Sequence, residues 1–115
     1  MDTVSLLLKC LKSKHYISDL EKAKGEVSTE QIALRKADDL FIRDAITGLG
    51  NILKEDLGNH YYITTVKMGT FGNVLTQAII QRDGSNADIA VYAHEGIIQR
   101  NLAEKTIQKL KSVLM

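Results

Sequence analysis

Three runs rich in β-branched and aromatic residues constrain this chain more than any other feature, because the strands they imply are apolar on both sides. The runs lie over 61–68, 74–82 and 88–93, and glycine-bearing turns separate them. Met68-Gly69-Thr70-Phe71-Gly72-Asn73 forms the first separator, and Arg82-Asp83-Gly84-Ser85-Asn86 the second, with Asp83-Gly84 its strongest turn signal. Successive side chains on a strand point to opposite faces. Leu75 and Ile79 therefore point one way, while Val74, Ala78 and Ile80 point the other. A sheet with one wet face shows cleaner alternation than this. Both faces need cover.

The remaining chain supplies helices for that purpose. Val4, Leu7, Leu8 and Leu11 recur at helical spacing and predict an amphipathic helix near 3–14. Ser28-Thr29-Glu30-Gln31 has the form of a capping box, in which Ser28 and Gln31 would each satisfy an orphan backbone N–H. A long helix over 28–57 is the expectation, with Leu34, Ala37, Phe41, Ala45, Leu49, Ile52 and Leu53 as its stripe. Gly48 and Gly50 sit inside that pattern and together cost about 2 kcal/mol of helix propensity. Either another backbone packs closely there or the helix ends. The unbroken apolar pattern favours close packing. Leu102, Ala103, Ile107, Leu110 and Leu114 then predict a closing helix over 97–114. The expected fold is α+β: a three-stranded antiparallel meander preceded by two helices, the second long, and followed by a C-terminal helix. At 115 residues the chain reads as a single domain, 1–115.

Composition excludes several classes. A 44% hydrophobic and 25% charged chain is neither disordered nor a disulfide scaffold. Fifteen basic and fourteen acidic residues leave a net charge of +1, with no large field to attract nucleic acid. No apolar run approaches the roughly 20 residues of a membrane span, and Val4 to Leu8 is too short for a signal-peptide core. Cys10 has no second cysteine to pair with, which fits a reducing cytoplasm.

Chemistry-bearing residues are few. His94-Glu95, at the junction between the last strand and the last helix, forms the one candidate acid/base site, with Phe71 as a neighbour. The plainer reading makes Glu95 a helix cap and His94 a surface residue. His60 and His94 do not make a metal pair, because the meander puts them about 25 Å apart at roughly 3.4 Å per residue. No metal and no cofactor is expected. Asp39 with Arg43 fits an i,i+4 salt pair on a solvated face. Gly69-Thr70-Phe71-Gly72 lacks the spacing and the following helix of a phosphate loop. Tyr61, Tyr62 and Tyr92 raise the thought of a base-stacking sheet, but only Lys67 and Arg82 accompany them on the strands.

These readings point to a small cytoplasmic protein-interaction or assembly module without catalytic activity. The alternative is a small enzyme using His94 and Glu95, and a further alternative is a nucleic-acid-binding sheet. Two apolar faces and two free edges on one thin sheet favour self-association as a homodimer. Leu75 and Ile79, or Val74, Ala78 and Ile80, are the expected contact residues.

Overall fold

The computed structural model describes residues 2–69, 71–94 and 101–115. It contains α1 (Thr3–Ser13), α2 (Leu20–Lys24), β1 (Val27–Ala33), α3 (Asp39–Thr47), β2 (Ile52–Asp56), β3 (Tyr61–Met68), β4 (Val74–Asp83), β5 (Asn86–Tyr92) and α4 (Leu102–Leu114). The five strands form one antiparallel sheet in the order β1-β5-β4-β3-β2. The expected three-stranded meander is thus corrected to a five-stranded sheet with four helices. The meander β3-β4-β5 is its centre, flanked by β1 on one side and β2 on the other. No helix among the described residues is long and apolar enough to cross a membrane.

The correction concerns 28–57. Val27–Ala33 forms a strand because tertiary pairing with β5, from Val27↔Tyr92 to Ala33↔Asn86, outweighs a local capping signal. Ser28 and Gln31 are strand residues, and Gln31 Nε2 bonds Asp88 Oδ1 across the strands at 3.2 Å. The helix begins later. Asp38 caps it, its carboxylate accepting from the Leu40 N–H at 2.9 Å. Its fully buried stripe is Ile42 and Ile46, one residue out of phase with the expected Phe41 and Ala45. It stops at Thr47, and Gly48 follows as the C-cap.

Each face of the sheet receives two helices. On one side α1 lays Leu7, Leu8 and Leu11, with Cys10 beside them, against Tyr61, Ile63, Ile79 and Ala90, and α2 adds Ala23. Asp2 holds the start of α1, accepting from the Ser5 N–H at 2.7 Å. On the other side α3 and α4 cover Tyr62, Val66, Ala78, Ile80, Ile89 and Val91. The Thr76 and Thr106 hydroxyls bond to each other at 3.0 Å inside that layer, so neither is left unpaired. Arg35 closes the chain's C-terminal turn, donating to the Val113 and Met115 carbonyls at 3.0 and 3.1 Å. The expected helix start near 97 falls outside the described residues.

The two glycines behave differently. Gly50 lies in the link from α3 to β2, and a Cβ there would sit 2.1 Å from the Thr65 carbonyl oxygen. The close approach is real, but it joins a loop to β3 rather than a helix to a neighbour. A Cβ at Gly48 would meet only the Ala45 carbonyl, at 3.8 Å, on a right-handed backbone with φ −75°. Gly50→Ala should therefore destabilise by about 3 kcal/mol, the upper end of overpacking costs. Gly48→Ala should be neutral or stabilising by up to about 1 kcal/mol. Urea unfolding of both variants checks this, and equal effects would contradict it.

Candidate functional site

His94 lies two residues past the end of β5, and its Nδ1–H donates to Glu26 Oε2 at 3.1 Å. The pairing follows from sheet register. The Ala93 N–H reaches the Glu26 carbonyl at 3.5 Å, which carries the β1–β5 ladder one residue beyond Val27↔Tyr92. Glu95, the partner expected from the sequence, lies outside the described residues. The carboxylate found at His94 comes from 68 positions earlier in the chain. Finding it required recognising β1 as a strand.

His94 and Glu26 stand on the rim of a cleft of about 530 Å³. Residues 16–19 of the α1–α2 loop form its roof, and one end of the sheet forms its floor. Gln77 and Tyr92 form that floor, directly opposite each other across β4 and β5. They are only 6% and 8% exposed, yet among the described residues neither side chain has a hydrogen-bond partner. Burial, and after it the Glu26 charge, pushes the Tyr92 hydroxyl above its ordinary pKa, so it stays a neutral donor and acceptor. Asp19 and Lys22 complete a rim of mixed sign.

No hydroxyl or thiol among the described residues is in hydrogen-bond contact with His94. Cys10 is buried on the inner side of α1, and desolvation raises its thiol pKa, the opposite of activation. Phe71 is 89% exposed on the β3–β4 loop and is not part of the cleft lining.

A second cluster ties α3 to the sheet. Asp39 Oδ1 accepts from Arg82 Nε at 2.7 Å, and Asp39 Oδ2 from His60 Nδ1 at 2.7 Å. The expected Asp39–Arg43 pair is absent from this arrangement, and Arg43 instead meets Glu55 at 3.3 Å. Arg82 is therefore committed to Asp39, while Tyr61, Tyr62 and Tyr92 are buried inside the fold. Their rings are spent on packing rather than offered to bases.

The residues expected at an interface divide sharply. Ile79 is fully covered on the α1 side, and Ala78 and Ile80 on the α3–α4 side. A second copy cannot reach them without unfolding the first. Val74 is half-buried and Leu75 half-exposed, and both line the cleft. What the helices leave open is the outer edge of the sheet. The Leu34 N–H donates to the Ser85 carbonyl at 2.8 Å, and the Ala93 N–H to the Glu26 carbonyl, which fixes the phase of the β1–β5 ladder. Antiparallel ladders alternate bonded and non-bonded pairs. Residues 26, 28, 30, 32 and 34 therefore turn their backbone groups towards β5. Val27, Thr29, Gln31 and Ala33 turn theirs outward, and no partner meets them among the described residues.

The opposite edge is guarded. β2 is five residues long, shifts register between Ile52 and Lys54, and carries Lys54, Glu55 and Asp56. A short, irregular, charged edge resists pairing. β1 is seven residues long, regular in register, and has Glu30 as its single charge, already matched by Lys111 at 2.9 Å.

Burial pushes the Asp39 carboxyl up, but the hydrogen bonds and charges of Arg82 and His60 outweigh it and hold it below its ordinary 3.8. A depressed carboxylate pKa contributes stability that is present above the unfolded value and lost as pH falls through the folded one. Asp39→Asn should cost about 1–2 kcal/mol at neutral pH. Denaturant midpoints of the two proteins should converge as pH drops below the ordinary carboxylate range. A gap that does not change with pH would contradict this reading.

No protein-family model matches the chain, and no curated protein does.

Proposed function

We propose that this chain is a non-catalytic interaction and assembly module that works by strand addition at β1, and that its occupant there is a second copy. The observation that carries the reading is the outward row of backbone groups on Val27, Thr29, Gln31 and Ala33, beside a β2 edge that is guarded. An extended strand with unpaired N–H and C=O groups is a template for another.

The edge is self-complementary. A two-fold centred on Glu30 sets Thr29 opposite Gln31 of the second copy and Val27 opposite its Ala33. Those are the residues whose backbone groups face outward, so each pair can exchange two bonds. Glu30 would meet its own counterpart, and Lys111 at 2.9 Å already offsets that charge within each chain. Each bond replaces one to water and is worth about 0.5–1.5 kcal/mol net. The expected dimer is therefore reversible and dependent on concentration. The lone Cys10, buried and unpaired, suits such a module in the reducing cytoplasm. The enzyme reading has less support, because among the described residues no nucleophile hydrogen-bonds to His94 or Glu26.

Light scattering across a tenfold concentration range should show the mass rising from 12.8 kDa towards twice that value. Thr29→Pro removes an outward N–H and leaves the ladder to β5 intact, so it should hold the protein monomeric and folded. Gln31→Lys, an edge charge, should do the same. Glu30→Pro removes an inward N–H and should unfold the sheet edge. A constant mass near 12.8 kDa throughout would refute strand addition by a second copy.

A further inference from the structure

The floor of the cleft has no role in strand addition, and its chemistry is unusual for a core. Gln77 and Tyr92 face each other more than nine-tenths buried, and no side chain or backbone group among the described residues meets the Gln77 amide or the Tyr92 hydroxyl. Such groups need either a protein partner or contact with water. Thr65, next to Gln77 on β3, shows the ordinary solution, because its hydroxyl accepts from the Asn51 N–H at 2.9 Å. Gln77 and Tyr92 instead open into a cleft of about 530 Å³, large enough for a small molecule.

The rim narrows the class of ligand. Lys22 has no acidic partner among the described residues, and it stands with Asp19, Glu26 and His94 around the opening. One free lysine beside two carboxylates does not suit a phosphate or a nucleotide. The first N–H groups of α2 are occupied, since Asp19 Oδ1 accepts from Glu21 and Lys22 at 3.0 and 3.2 Å. Nor do Asp19, Glu26 and His94 converge as a metal-binding group among the described residues. Both signs of charge at the mouth, above a neutral polar floor, match a molecule that is itself neutral overall but carries separated charges.

We infer that the cleft binds a free α-amino acid with a polar side chain, its carboxylate towards Lys22, its ammonium towards Glu26, and its side chain on Gln77 and Tyr92. A carboxamide or hydroxyl side chain supplies the donor and acceptor that the floor lacks.

Thermal unfolding and titration calorimetry on the full chain test this with L-glutamine and L-serine, against L-leucine, propionamide and inorganic phosphate. L-Glutamine or L-serine at millimolar concentration should raise the melting temperature, and the other three should not. Gln77→Leu should weaken binding by about tenfold or more. Tyr92→Phe should act in the same direction, which keeps the test alive if Gln77→Leu does not fold. Lys22→Met should weaken binding without changing the fold. Absence of binding by both polar amino acids would overturn the inference. So would equal binding of propionamide, L-leucine or phosphate, or unchanged affinity in both floor variants.

Discussion

Ile79 and Ile80 are consecutive on β4, point to opposite faces, and are both fully buried. The rest of the structure depends on that. A strand that is apolar on both sides cannot lie at a surface, so helices must cover it twice. α1 and α2 do so on the Ile79 side, and α3 and α4 on the Ile80 side. Fully burying two such side chains is worth about 1.5–3 kcal/mol each, and the same reasoning applies to Ile63, Ile89 and Val91. Once both faces are covered, the sheet itself remains accessible at its edges and ends.

The two sites proposed above are what this economy of cover leaves exposed. α1 packs Leu7, Leu8 and Leu11 in one cluster with Ile63, Ile79 and Ala90. The next row along the strands is Thr65, Gln77 and Tyr92, which carries polar groups and lies under a loop. The cleft lies between that loop and those polar groups. β1 joins the sheet beside β5, and among the described residues no element pairs with its outer side.

The centre of the fold was legible in the sequence because β3, β4 and β5 combine alternation, β-branched residues and glycine turns, which reinforce one another. Helix α1 was legible because Val4, Leu7, Leu8 and Leu11 recur at helical spacing. The segment 28–57 was misread where two patterns overlapped. Ser28 and Gln31 satisfy a capping-box spacing and a strand alternation equally well, and only the partner strand, more than fifty residues away, decides between them. Apolar residues at three-or-four spacing continued from Leu34 to Leu53 although the chain changes direction at Gly48 and Gly50. His94 was legible as a residue of interest, but its carboxylate was not, because Glu26 reaches it through that same misread strand. Gln77 carried no local signal. Its isolation is a property of the loop above it.

The central claim is that β1 exposes one alternating set of backbone groups and that a second copy occupies them. Hydrogen exchange of individual β1 amides, followed as a function of protein concentration, tests it most directly. The amides of Ser28, Glu30 and Ile32 face β5 and should be protected at every concentration. Those of Thr29, Gln31 and Ala33 should exchange quickly in dilute solution and slow as concentration rises. Uniform exchange along β1, or outward amides whose rates ignore concentration, would contradict the account.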